Sequence, residues 1–245
     1  MAAANCAAGS TGFLVTALRG LFKVLQTEPS WRQYLESHDD IVGTNLTAPS
    51  AARSLVVSSL AEHRLVLAIT ATTREAEDLA HELRSLLPAE SIAEFLAWET
   101  LPHERLSPSS DVVGRRLAIL RRLRHADADG QSPIRVLVAP IRAVLQPIVK
   151  GIADLTPVVL KKGQTADFET TIAALASAGY QRVDLVEKRG QFAVRGGLLD
   201  VFPPMEEHPI RVEFWGDEVD EVRSFAVADQ RSLGEVVDGL WAPPC

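Results

Sequence analysis

The sequence predicts a two-part protein: an α/β domain built on a parallel sheet, followed by a smaller α+β domain. Three observations carry this expectation. Short apolar runs alternate with amphipathic helical segments between residues 55 and 139, the series that builds parallel sheets. From about Pro157 the texture changes to closely spaced strand candidates joined by glycine- and proline-containing turns, the pattern of an antiparallel meander. The length of 245 residues suits one large or two small domains at roughly 100–200 residues each.

Taken in order, Gly12–Gln26 carries Phe13, Leu14, Leu18, Leu21, Phe22 and Leu25 at helical spacing, with Arg19 and Lys23 opposite. Leu55–Ala61 is a second helix. Leu65–Ile69 is wholly apolar, as a strand covered on both faces of a parallel sheet would be. Thr72-Thr73-Arg74-Glu75 reads as a capping box, and the helix it opens continues through Ala76, Leu79, Ala80, Leu83 and Leu87 to Pro88. Ile92–Leu96, a helix over Val112–Leu123 and Ile134–Ala139 repeat the alternation. In the second domain, Thr165 precedes a helix with Phe168, Ile172 and Leu175 on one side, and Gly179 closes it. Strands follow at Arg182–Val186, Gln191–Arg195, Leu198–Phe202, Ile210–Trp215 and Val222–Val227, jointed at Lys188-Arg189-Gly190, Gly196-Gly197, Pro203-Pro204 and Gly216-Asp217.

Composition narrows the function. An apolar fraction of 47% with 23% charged residues is ordinary for a globular chain. The 25 Lys and Arg against 32 Asp and Glu leave a net charge of −7, which disfavours a surface that grips nucleic acid throughout. Cys6 and Cys245 stand at opposite ends and make neither a disulfide framework nor a metal cluster, so a reducing cytoplasm is the default. Met1–Leu18 is uncharged, yet Asn5, Ser10, Thr11 and Thr16 interrupt it; it reads as neither a membrane span nor a signal peptide.

The first domain has the layout of a nucleotide-binding fold. A working phosphate loop needs glycines, a Lys for the phosphates and a Ser or Thr for magnesium, and no GxxxxGK[ST] occurs here. The positional counterpart, Leu46–Ser54, includes Thr47, Ala48, Ala51 and Ala52 but no glycine or lysine, and Pro49 removes an amide. The six histidines are scattered without metal-ligand spacing. Ser107 and Ser109 read as turn residues, and the carboxylate pairs Glu206/Glu207 and Asp217/Glu218 as solvated turns. We therefore expect no catalytic residues and no metal site.

Binding surfaces are more informative. Arg115, Arg116, Arg121, Arg122 and Arg124 crowd one helix; a solvated face favoured by the helix dipole and a phosphate-contacting face are the two readings. In Ile210–Trp215, alternation puts Ile210, Val212 and Phe214 on one face and Arg211, Glu213 and Trp215 on the other. In Gln191–Arg195 it turns Phe192 and Val194 inward and Arg195 outward. Two arginines and a tryptophan on one sheet face make a compact docking patch. The alternative is a Trp stacked on its own domain under covering arginines.

The same residues carry a family resemblance. Gly179-Tyr180, Arg182-Val183-Asp184, Arg189-Gly190, Phe192–Gly197, Leu199–Pro203 and Arg211–Glu218 resemble the small domain of UvrB. They more closely resemble the UvrB-like N-terminal module of the bacterial transcription-repair coupling factor family, Mfd. Trp98-Glu99-Thr100-Leu101-Pro102, Leu106-Ser107-Pro108 and Ala228-Asp229-Gln230-Arg231-Ser232 are similar to that family rather than to UvrB. The resemblance runs from about residue 40 to the end and is loose over residues 1–39.

It implies an N-terminal helical segment over 1–39, a degenerate RecA/helicase-like lobe without a working Walker A over 40–156, and a UvrB-like UvrA-binding domain over 157–245. Full-length members of the family are ATP-driven DNA translocases that displace stalled RNA polymerase and recruit UvrA to excision repair. UvrB's working loop and damage-probing hairpin have no counterpart in this sequence. The implied UvrA contacts fall on Arg195, Arg211 and Trp215. The return to the first lobe, the polymerase-binding domain, the motor and the C-terminal masking domain are not in the sequence, which implies an excised fragment. The expectation is a non-catalytic adaptor that itself uses no cofactor, with ATP and magnesium, RNA polymerase and DNA belonging to other parts of the parent. An active UvrB-like ATP- and DNA-binding module is the alternative, and direct DNA binding through the Arg115–Arg124 helix a further one.

Overall fold

A computed structural model describes residues 20, 24–25, 27–36, 45–100, 107–126 and 131–245. Most of the helix expected over Gly12–Gln26 lies outside these residues. The chain divides into two compact units, one formed by Met1–Glu94 with Ile134–Arg142 and the other by Phe95–Pro133 with Ala143–Cys245.

The first unit contains helices α1 (Pro29–Glu36), α2 (Arg53–Ala61) and α3 (Thr73–Arg84) and strands β1 (Val66–Thr70), β2 (Ile92–Glu94) and β3 (Val136–Pro140). The strands form the expected parallel sheet, ordered β1-β3-β2, with Val66 and Ile92 both opposite Val136. Helix α3 starts where Thr72 caps it, its Oγ1 accepting from the Glu75 amide at 3.2 Å. The Glu75 carboxylate reaches back to the Ala71 amide, one residue before the capping-box position. Ala76, Leu79, Ala80 and Leu83 of α3 bury against Ile92, Val136 and Val138 of the sheet. Trp31 of α1 is anchored by an indole N–H bond to the Ser59 hydroxyl at 3.2 Å.

One expectation is corrected here. Strand β1 is covered on a single face among the described residues: Leu65, Leu67 and Ile69 are about half exposed. An apolar run records that neither face is meant for water, but β1 lies at the sheet edge and both neighbouring helices, α2 and α3, pack in the same buried cluster.

The second unit begins its regular structure with α4 (Ser110–Arg124), whose N-cap is Ser109; its hydroxyl accepts from the Val112 amide and donates to Glu99. After the short helix α5 (Ile141–Leu145) come β4 (Val158–Lys161) and α6 (Phe168–Ser177), capped by Asp167 rather than Thr165. Gly179 at φ +94° takes the left-handed position that ends α6.

Strands β5 (Gln181–Arg182), β6 (Gln191–Arg195), β7 (Leu198–Val201), β8 (Ile210–Trp215), β9 (Glu218–Phe225) and β10 (Ser232–Val236) pair in sequence order. All those pairings are antiparallel except β5 with β6. Strand β11 (Gly239–Ala242) returns to pair with β4, Ala242 opposite Val158. Helix α6 covers one face of this sheet with Phe168, Ile172 and Leu175, packed on Phe192, Leu199, Val201, Ile210, Val212 and Val222. Phe168 meets Phe214 edge to face at 4.9 Å. Each fully buried Leu, Ile or Phe here is worth about 1.5–3 kcal/mol relative to exposure.

Two expected strands are shorter or displaced. Arg182–Val186 pairs only at Gln181–Arg182 before the chain leaves β6. The departure carries Val186 onto the opposite sheet face, where it packs with Ala193, Phe202 and Phe225 in a small second core. Of Val222–Val227, the residues up to Phe225 are the C-terminal part of a strand that starts at Glu218, because the turn at Gly216-Asp217 joins β8 to β9 directly.

Candidate protein-docking face

The second face of the six-stranded sheet is half core and half charge. Ala193, Phe202 and Phe225 lie under Val186 and the turn at Ala226–Arg231. Beside them, Asp200 on β7 is paired with Ala193 on β6 and Arg211 on β8, and is 1% exposed. A buried carboxylate in a strand survives only with cationic partners, and two converge on it. Arg195 donates from Nη2 to Asp200 Oδ2 at 2.5 Å. Arg211 forms a fork, Nε to Oδ1 at 2.6 Å and Nη2 to Oδ2 at 2.8 Å.

The two arginines are not equivalent. The Arg211 side chain is only 11% exposed. It spends Nη1 on the Gln230 carbonyl at 3.3 Å and lies 4.5 Å over the Phe225 ring. Gln230, left-handed at φ +60°, is itself held by side-chain bonds to the carbonyls of Val186 and Val227. Hydrogen bonding to Asp200 raises the Arg211 pKa above the ordinary arginine value, so its charge is permanent. Arg195 is 43% exposed and is held by its bond to Asp200. Trp215 is 84% exposed, the most open large apolar side chain among the described residues.

Backbone geometry brings Arg195 and Trp215 to one end of the sheet, each closing its strand. Gly196 at φ +59° and Gly216 at φ +62° make the tight turns that follow Arg195 and Trp215, a conformation glycine adopts without steric cost. The Phe214 amide donates to the Gly197 carbonyl at 2.8 Å, and a Cβ on Gly197 would sit 2.8 Å from the Phe214 oxygen. The two hairpins are thus stitched together. On the neighbouring strand, Arg223 bridges Glu213 and Glu221.

The sequence-predicted residues Arg195, Arg211 and Trp215 therefore share one face. The residues that reasoning from sequence missed are Asp200, Gln230 and Phe225. Asp200 was signalled by its setting, a lone acid between apolar residues in Leu198–Phe202. Gln230 carried no comparable signal.

The arginines of α4 do not share one solvated face. Its five arginines point around the helix at about 100° per residue; Arg116 and Arg121 are buried, Arg115 and Arg122 part-buried, and Arg124 is exposed. Arg116 is 1% exposed, stacked between Phe95 and Trp98 at 4.1 and 4.2 Å, and donates to the Leu96 carbonyl; burial lowers its pKa to about 10. Arg121 and Arg122 donate to the carbonyls of Leu155 and Ser132, and Arg115 pairs with Asp111. Arg124 faces Asp154 at 3.7 Å.

In the first unit, Thr47 and Ala48 are exposed on an extended segment, and Ala51 and Ala52 lie in a single 3-10 turn, Ser50–Ala52, that runs into α2 without a side-chain cap. Among the described residues no three His, Cys, Asp or Glu group as a metal site would. No helix among them is long and apolar enough to cross a membrane.

Residues 158–241 match the UvrB interaction domain family, a stretch that opens at β4 and closes in β11 and contains the whole docking face. The matched stretch lies within the second unit. Over most of its length the chain is similar to transcription-repair-coupling factors. It is 46% identical over 227 residues to that of Mycobacterium tuberculosis (strain CDC 1551 / Oshkosh), covering 90% of this chain and 18% of the relative. It is 33% identical over 188 residues to the Escherichia coli K12 protein and 32% over 186 to that of Bacillus subtilis 168, covering 76% and 75% of this chain. The chain spans less than a fifth of the length of these relatives. The resemblance carried by the sequence motifs stands.

Proposed function

We propose that this chain is a non-catalytic adaptor that recruits UvrA in transcription-coupled excision repair, docking it on the sheet face built from Arg195, Arg211 and Trp215. The observation that carries the reading is an 84% exposed tryptophan on the same sheet face as a half-exposed arginine clamped by a buried acid, within the stretch that matches the UvrB interaction domain. Exposed Trp and Arg are the residue types that dominate binding energy once a partner desolvates them. A charge-assisted bond from arginine to an acidic group contributes about 1.5–3 kcal/mol.

In this reading the first unit is a degenerate helicase-type lobe. Its residues 46–54 do not fit a nucleoside triphosphate: they offer no lysine and no glycine, and Pro49 lacks the amide a phosphate would need. ATP and magnesium, RNA polymerase and DNA are then the business of other segments of a longer cytoplasmic translocase, one of which masks the docking face at rest. The pairing of β4 with β11 suits a domain inserted into a host lobe, since it brings Val158 opposite Ala242.

The test is calorimetric titration of UvrA with the chain and with the Arg195→Ala/Trp215→Ala variant. Binding by the parent and at least tenfold weaker binding by the folded variant are expected. Equal binding by both would overturn the docking site, and ATP turnover by the chain would overturn the non-catalytic reading.

A further inference from the structure

We infer that Asp200 is a positioning residue for partner recognition: it holds Arg195 in the geometry that meets one carboxylate of the partner, beside an apolar socket for Trp215. The inference rests on the reading that this face docks UvrA, and it divides the labour within it. Arg211 already uses Nε, Nη1 and Nη2 inside its own domain and is nearly covered. It has little to offer a partner and serves instead to hold the Asp200 carboxylate in place. Arg195 spends on Asp200 one of the five N–H donors that a guanidinium carries. The donors of this half-exposed group are what a planar acidic acceptor would engage, and a carboxylate matches the fork geometry of arginine.

Charge counting on the face gives the same partner. Asp200 against Arg195 and Arg211 leaves one net positive charge, and that charge is accessible only through Arg195. One strand further on, Arg223 against Glu213 and Glu221 leaves one net negative charge. Glu213 stands in the same row as Arg195, with Leu198 between them. A partner carboxylate is therefore attracted over Arg195 and repelled over Glu213, so the neighbouring acids fix its register. Without Asp200, two guanidiniums that now share one carboxylate would repel each other. Arg195, the less anchored of the two, would leave the face.

The experiment titrates UvrA with the full chain and its Arg195→Ala, Asp200→Asn and double variants, and follows thermal melting of each. If Asp200 acts through Arg195, Asp200→Asn weakens binding about tenfold and the double variant binds no more weakly than Arg195→Ala alone. Asp200→Asn that melts earlier yet binds like the parent overturns the inference, leaving Asp200 purely structural. Additive losses in the double variant also overturn it. Should Asp200→Asn fail to fold, Asp200→Glu keeps the charge and displaces it by one methylene; several-fold weaker binding supports the inference and unchanged binding overturns it. Failure of the parent to bind UvrA would instead remove the docking function itself, and this inference with it.

Discussion

The two faces of the six-stranded sheet are made of the same strands and answer to different demands. On the first, Phe192, Leu199, Val201, Ile210 and Val212 interlock with α6 and are at most 2% exposed. On the second, the strands carry Arg195, Asp200, Arg211, Glu213 and Arg223, held by ion pairs and a turn folded across them. Aliphatic packing is non-directional and tolerates repacking, whereas a forked ion pair fixes where each guanidinium points. The first face holds the domain together; the second spends stability on geometry. The apolar edge of β1 in the first unit sharpens the contrast: Leu67 and Ile69 are about half exposed, but no arginine or aromatic stands on β1 with them.

Substitutions on the two faces should separate accordingly. The largest effect is expected from Phe192→Ala, which opens a cavity in the first-face core and should cost about 3–5 kcal/mol in denaturant unfolding. Next comes Arg211→Ala. It leaves Asp200 with Arg195 alone, and should cost about 2–3 kcal/mol as well as weakening UvrA binding. Arg195→Ala and Trp215→Ala should change stability by less than about 1 kcal/mol, since Trp215 is largely open to solvent and Arg211 still pairs Asp200 when the half-exposed Arg195 is removed, while each weakens UvrA binding tenfold or more. If either melts several degrees early, the division between a packing face and a recognition face is broken.

The smallest expected effect tests a group on neither face. Burial pushes the Glu206 carboxyl above its ordinary pKa, so the folded state holds that proton more tightly than the unfolded chain does. The stability linked to it is present below the ordinary carboxylate pKa and is lost as pH rises through the raised value. Glu206→Gln should therefore raise the melting temperature near neutral pH and leave it nearly unchanged at about pH 4. A gain of the same size at both would rule out the titration.

Much of this was legible in the sequence wherever a local signal coincided with the tertiary one. Ile210–Trp215 alternates cleanly and is strand β8 end to end. Gly179 closes α6 because only a glycine takes φ +94° there easily. Strands β4 and β11 went unread because their pairing is decided by partners far along the chain; Val158–Lys161 meets Gly239–Ala242 across about eighty residues. Strand β10 pairs locally with β9, but in an irregular register that leaves no clean alternation. The arginines of α4 misled because a charge in a sequence does not reveal whether carbonyls await it, as those of Leu96 and Leu155 do. The candidate face was legible in its outward side chains, Arg195, Arg211 and Trp215. Its foundation was not read: Asp200 was signalled only by its place between apolar residues, and Gln230 reaches the face only through its backbone carbonyl.

The stitch between the hairpins, from the Phe214 amide to the Gly197 carbonyl, has a kinetic consequence. Arg195 and Trp215 ride on turns that are already locked, so a partner need not wait for a loop to settle before it lands. Association should then run at the ordinary rate for two rigid surfaces, about 10⁵–10⁷ M⁻¹s⁻¹. Differences among variants would be written almost entirely in how long the complex lasts.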